Sequence, residues 1–509
     1  MSEEAQHATI GFLSELCARA GDTSPPMSTH ISRIFFAGDT VYKLKRAVRT
    51  AYLDFSTPEL RLLACHNEFE LNCRTAPSLY LGVRHITRDA HGLALDGDGE
   101  TIDAIVEMRR FAQGDLFDSM AQSGALTSQH LERLAASLAA FHANAPIDKT
   151  SSGTHAVGAI LATNETVLRL SFLAEEQDLS PLSSAMREAF AAQSALLNAR
   201  KAAGKVRRCH GDLTLRNIAM IDGEPTPFDC LEFDEALATI DILYDLAFTL
   251  MDLWHRDRAD LANVLFNRYL DAADETDGLA LLPLFIAMRA VIRGHVTAQM
   301  AQDAEGDAQN NLKSEARAYV ALAADAMRFG PATLIGVGGL SGSGKSTFAS
   351  ALAPRLPPIP GARILSSDRI RKAMFGLAPT QALPPEAYAP EVSQRVYASA
   401  REQAGRCLKA GWAVICDAVF DRRADRDALT EIAALKGVSF RGYWLEAPAQ
   451  LLDARIRARK GDPSDATPEV MRAQDAKLRA SGEAMDWTTL DASADTQVTV
   501  ARVCAQRDC

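Results

Sequence analysis

Residues 339–346, Gly-Leu-Ser-Gly-Ser-Gly-Lys-Ser, match G-x-x-x-x-G-K-[ST] between an apolar run at 334–337 and a helix-forming stretch at 347–356. A strand that turns through glycines into a helix dictates an α/β fold with a parallel sheet and a ligand site at the carboxyl edge of its strands. In such a loop Gly339, Gly342 and Gly344 let backbone N–H groups turn inward around a phosphate. Ser341, Ser343 and Thr347 complete the cradle. Lys345 is the residue to neutralise β and γ oxygens of ATP, and the Ser346 hydroxyl is the residue to ligate Mg²⁺.

Strand-like runs near Ile335, Ile364, Val414 and Tyr443 alternate with helical patterns, which predicts a three-layer parallel sheet from about residue 330 to 509. Two carboxylates end apolar strands there, Asp368 after ILSS and Asp417 after AVIC. Asp368 is assigned to an acceptor hydroxyl and Asp417 to the Mg²⁺ and water shell, roles that the sequence alone allows to be exchanged. Arg371 falls one turn after Asp368. Arg455 and Arg459, four apart before the polar turn GDPSDAT, have the spacing to bring guanidinium groups to a transferring phosphoryl group, or to form a solvated basic face.

A second constellation lies upstream. His210-Gly211-Asp212-Leu213-Thr214-Leu215-Arg216-Asn217 carries the Asp-x-x-x-x-Asn spacing of a kinase catalytic loop, and Asp229 follows twelve residues after Asn217. Asp212 is placed to accept or orient a substrate hydroxyl, with Asn217 and Asp229 as Mg²⁺ ligands from the two arms of a hairpin-like segment. The strand TVYKLK supplies Lys43 for the ATP phosphates, and the helix ELRLLACHNEFELN supplies Glu68 to position it, with Lys45 and Glu70 as neighbouring alternatives. His210 is expected to brace the loop through hydrogen bonds, and Asp241 and Asp245 to be structural.

At 509 residues the chain exceeds one ordinary core, so at least two domains are expected: 1–329, with a small α+β lobe to about 112 and a helical lobe at 113–329, and 330–509. The polar stretch 301–311 is read as a loop near the end of the first. With 54 basic and 65 acidic residues the net charge is −11, which disfavours binding a nucleic-acid backbone. Nine scattered cysteines without a C-x-x-C pair suggest neither a disulfide framework nor a zinc site, and fit a cytoplasmic protein. The N-terminus lacks a basic start, and the apolar run 279–292 is broken by Pro283 and Arg289, so it reads as a buried helix and no membrane association is expected.

Two resemblances follow from these motifs. Residues 333–509 resemble the small P-loop kinases of metabolites, such as gluconate and shikimate kinases, and more loosely the zeta-toxin kinases, on GLSGSGKS, SSDRIRK, CDAVF and the arginine pair. Residues 29–329 resemble the aminoglycoside phosphotransferase-like family, relatives of protein kinases, with HGDLTLRN as catalytic loop, Asp229 as the counterpart of the D-F-G aspartate, and ATIDILYDLAF as the downstream acidic segment. The sequence departs from kinases in having STHISRIFFAGD, without G-x-G-x-x-G, ahead of Lys43. The resemblance implies a bilobal protein-kinase-like domain followed by a P-loop domain, and a bifunctional enzyme passing the γ-phosphoryl group of Mg-ATP to hydroxyls of small molecules. The alternatives are one active P-loop kinase with a regulatory kinase-like half, and an ATP-dependent switch acting on a protein partner.

Overall fold

The computed structural model describes residues 6–29, 31–49, 53–150, 152–459 and 463–505. The chain divides into two compact units, one of 1–166 with 194–256 and one of 167–193 with 257–509.

The first unit opens with a six-stranded antiparallel sheet of β1 (Met27–Ser28), β2 (Ser32–Ala37), β3 (Thr40–Lys45), β4 (Tyr80–Asp89), β5 (Gly92–Leu95) and β6 (Glu100–Arg109), in the order β1-β2-β3-β6-β4-β5. The period of two along β3 divides its side chains between two cores. Tyr42 and Leu44 pack with Leu13 and Cys17 of the helix His7–Arg19. Val41 shares the opposite core with Cys65 of the helix Pro58–Asn72, so Lys43 and Lys45 also face that helix. That helix starts where Thr57 accepts from Leu60 N–H and Pro58 fills a position needing no donor. A tight turn through Gly38 joins β2 to β3, in the place of a glycine-rich covering loop.

The remainder of this unit is helical, as the spacing of Leu131, Leu134 and Leu138 predicts; all three are buried in the helix Ser128–Asn144. Strands return as β7 (Val206–Arg208), the hairpin β8 (Ile218–Ile221) and β9 (Glu224–Pro227), and β10 (Thr239–Asp241), which pairs with β7.

The second unit contains a five-stranded sheet of β11 (Thr333–Gly338), β12 (Arg363–Ser366), β13 (Val414–Asp417), β14 (Ser439–Glu446) and β15 (Thr488–Asp491), all parallel, in the order β12-β13-β11-β14-β15. β15 has too short an apolar run to stand out in the sequence. The helices Ala259–Ala272, Leu282–Gln302 and Gly306–Ala326 belong to this unit, so its compact boundary does not fall at the expected 330. A polar ladder joins the first of these helices to the edge strand β12. Asn263 Nδ2 donates to the carbonyls of Pro360 and Ala362 (both 3.0 Å), Asn267 Oδ1 accepts from Ile364 N–H (2.7 Å), and Asp271 pairs with Arg363 (2.7 Å). These three residues stand four apart on one helix face, which lets them serve edge groups that a further strand would otherwise take.

The expected polar loop at 301–311 is mostly helix: only 303–305 separate Leu282–Gln302 from Gly306–Ala326. Its Ala and Gln residues favour helix, and Gln309 Nε2 caps the preceding turn by donating to the carbonyls of Ala301 and Ala304. Among the described residues one span, Thr276–Gln302, is long and apolar enough to cross a membrane, and 72% of its apolar window is buried inside the protein. The eight described cysteines are free, and Cys509 lies outside the described residues.

Candidate active sites

In the first unit, β3 and the helix Pro58–Asn72 bring Lys43 and Glu68 together, with Lys43 Nζ 2.7 Å from Glu68 Oε1. Lys43 also pairs with Asp229, which arrives from beyond the β8–β9 hairpin. Lys45 joins the same cluster: its ammonium lies 2.5 Å from Glu68 Oε2 and pairs with Glu232. Glu70 is exposed and outside it. Two lysines and three carboxylates thus share one site, buried except at Asp229, whose side chain is 40% exposed. Burial opposes the charge of Lys43, but Asp229 and Glu68 outweigh it and hold its pKa well above the usual value. Burial likewise opposes the charge of Glu68 and Asp229, yet the lysines keep both below the ordinary carboxylate range. Glu232 goes the other way, its pKa raised by burial that Lys45 does not fully offset.

The helix Ile242–His255 sets the loop from His210 to Asn217. Asp245 accepts from His210 N–H (3.0 Å) and Gly211 N–H (2.9 Å), Thr249 donates to Leu213 O (2.7 Å), and Asp252 accepts from Leu215 N–H (2.9 Å). Their spacing of four and three puts all three on one face, and all are buried. Gly211 has φ +87°, and a Cβ there would stand 2.8 Å from that of Ala238, so the loop needs glycine at this point. His210 Nε2 lies 2.9 Å from Phe228 O, tying the loop to the segment that carries Asp229. Asp241 is structural: it caps its helix by accepting from Leu243 N–H and pairs with Arg200.

Asn217 Nδ2 donates to Asp212 Oδ2 (2.9 Å), and its Oδ1 accepts no hydrogen bond among the described residues. Asp229, at φ +61°, donates its N–H to Tyr80 Oη (3.2 Å). An amide oxygen and a carboxylate are hard donors of the kind Mg²⁺ takes, so these residues fit the expected ion.

In the second unit the phosphate loop leaves β11 and enters the helix Lys345–Leu352. Gly342, at φ +87°, lies so close to Leu452 that a Cβ would stand 2.7 Å from its carbonyl oxygen. Ser346 Oγ donates to Asp417 Oδ2 (2.6 Å), a hydroxyl and carboxylate pair that again suits Mg²⁺. Lys345 Nζ donates to Leu340 O (3.0 Å). A cavity of about 970 Å³ opens over the loop, and every expected residue of this half except Gly339 lines it: Asp368, Asp417, Arg455 and Arg459 stand around the loop from Ser341 to Thr347.

Arg455 and Arg459 turn toward the cavity, whereas Arg457 between them is exposed and pairs with Asp453. Arg371 is buried, donating to Ala387 O (2.7 Å) and Ser393 Oγ (3.2 Å). Four cavity contacts, made by two residues, escaped the sequence reading. Asp465 accepts from Lys372 Nζ (3.0 Å), Leu383 N–H (3.0 Å) and Tyr388 Oη (3.1 Å), and Gln474 accepts from Ser341 N–H (3.0 Å). Only Asp465, the second of two acidic residues within GDPSDAT, offered a signal; nothing in the local sequence marks Gln474. In the other unit, Glu232 was missed although it stands three residues beyond Asp229.

Residues 40–282 match the phosphotransferase enzyme family model, and residues 334–481 match an AAA domain model. The chain is 29% identical over 470 residues to the uncharacterized protein Rv2004c of Mycobacterium tuberculosis, covering 91% of this chain and 90% of that one. Among solved structures it resembles a choline/ethanolamine kinase family protein from Mesorhizobium loti (16% identity, 64% of this chain and 100% of that one, TM-score 0.37). It also resembles the Mycobacterium tuberculosis APS kinase CysC (19% identity, 35% of this chain and 100% of that one, TM-score 0.25). The chain therefore joins a segment similar to the phosphotransferase enzyme family to a segment similar to AAA domains, and these matches support a phosphate-transferring enzyme.

Proposed function

We propose that both halves are active kinases, each passing the γ-phosphoryl group of ATP to the hydroxyl of a small molecule. The observation that supports this reading is that each compact unit brings together a lysine, an aspartate and an oxygen pair suited to Mg²⁺. In the first unit Lys43, positioned by Glu68, neutralises the ATP phosphates while Asp212 orients the acceptor hydroxyl and takes up its proton. In the second, backbone N–H groups from Gly342 to Thr347 cradle the phosphates with Lys345, next to Ser341. Asp368 there orients the acceptor, and Arg455 and Arg459 stabilise charge on the transferring group. Asn217 with Asp229, and Ser346 with Asp417, would hold Mg²⁺, which neutralises phosphate charge when bound.

Catalysis is then positioning and charge stabilisation, with no covalent intermediate on the protein. The test is acceptor-dependent ADP release by the full chain across sugars, polyols, nucleosides and aminoglycosides, for wild type, Asp212→Asn and Lys345→Ala. Separate acceptors lost in the separate variants support two kinases. Full activity in Asp212→Asn would reduce the first half to a regulator, and no acceptor-dependent release at all would favour a switch acting on a protein partner.

A further inference from the structure

The helix Pro468–Ser481 does more than roof the phosphate loop. Met471, 2% exposed, packs with Leu452 and Ile456, and Leu340 of the loop itself lies against that cluster. Gln474 follows Met471 by three residues and so shares its face. From there its Oε1 accepts the N–H of Ser341 at 3.0 Å. Because a backbone N–H can only donate, this contact fixes which way the amide is turned: oxygen on the loop, nitrogen away from it. The nitrogen donates to no acceptor among the described residues, and the half-buried side chain forms part of the cavity wall that also contains Arg455 and Arg459.

A neutral donor beside a phosphate cradle, its other end held by that cradle, is oriented in advance for a phosphoryl oxygen. Such preorganised donors act where charge develops during transfer. We propose that Gln474 is a catalytic residue of the P-loop site, donating through Nε2 to an oxygen of the γ-phosphoryl group while Ser341 N–H holds its carbonyl. The inference rests on the nucleotide reading of this site. It assigns to the helix Pro468–Ser481 a direct part in telling ATP from ADP, because the donor serves only a phosphoryl group that ADP lacks.

Gln474→Glu tests this directly, since a carboxylate still accepts from Ser341 N–H but offers no donor and repels phosphate. Binding of the β,γ-imido analogue of ATP and of ADP is measured calorimetrically on the full chain with Mg²⁺, taking the part of each that Lys345→Ala abolishes. The expected result is that Gln474→Glu and Gln474→Ala each weaken the analogue by about tenfold or more, the loss of one hydrogen bond to a charged group, while ADP changes less than threefold. Equal weakening of both nucleotides would make Gln474 a support for the loop only, and no change in either would remove it from the site. If Lys345→Ala abolishes no binding, the nucleotide reading itself fails and takes the inference with it. Unchanged melting midpoints for both substitutions exclude loss of fold as the cause.

Discussion

Five side chains in the first unit illustrate how one residue's environment decides what it contributes. Glu68 is fully buried between Lys43 and Lys45, so removing its charge leaves two ammonium groups under-compensated. Glu68→Gln is expected to cost about 3–5 kcal/mol in denaturant unfolding. Glu232→Gln should cost markedly less, because its own ionisation is already opposed by burial and by Glu68. The pH dependence follows from the directions of the shifts. Glu68 and Asp229 are held below their ordinary values, so their stabilisation is complete above about pH 5 and is lost as pH falls through the depressed values, below about 4. Lys43 is held above its ordinary value, so its contribution persists to about pH 10 and is lost only at more alkaline pH. The difference in melting midpoint between wild type and Glu68→Gln should therefore be flat from neutral pH to about 10 and shrink as pH falls below the ordinary carboxylate range. Lys43 and Glu68 could be paired in the sequence because a kinase-like loop demands a strand lysine and a helix glutamate. Lys45 was legible only as a neighbour on the same strand face, and Glu232 not at all, since the mixed-charge cluster forms only when the segment after Asp229 folds back onto β3.

At the scale of elements, local rules were sufficient wherever one element made the site. The phosphate loop between β11 and the helix Lys345–Leu352 was readable from eight residues, and its geometry makes a sharp demand. Gly342→Ala places a Cβ against the Leu452 carbonyl in a left-handed backbone, and is expected to destabilise the loop by about 1–3 kcal/mol and weaken nucleotide binding in titrations. Distant contacts that no motif marks were not readable. Gln474 lies 133 residues from Ser341, and the three-residue stripe of Asp245, Thr249 and Asp252 gains its meaning from a loop more than thirty residues upstream. Asn267 is the matching case on the edge strand. Asn267→Ala removes the acceptor for Ile364 N–H and should cost about 1–3 kcal/mol, visible as faster amide exchange at Ile364 before global unfolding.

For the whole molecule, the motifs point to two segments in the order in which the two family models match them, while the compact units cut the chain elsewhere. A boundary at 330 follows the end of a helical pattern and the start of β11; the folded chain instead keeps residues 257–329 with the parallel sheet. Interior packing of that kind leaves no mark at the junction, where Phe329-Gly330-Pro331 looks like any linker. A fragment beginning at 330 would present β12 without its ladder of Asn263, Asn267 and Asp271, and is expected to aggregate through that edge. A piece beginning at Asp257 keeps the ladder and should stay in solution at concentrations where the shorter one sediments. The same ladder bears on how such a chain can be rearranged. The helix that shields β12 lies inside the stretch matching the phosphotransferase enzyme family, so one segment's sequence completes the other's sheet. Swapping either catalytic segment for a foreign one at the apparent junction would strip the sheet of its guard or leave the guard with nothing to cover, which favours the two being transmitted as a single unit.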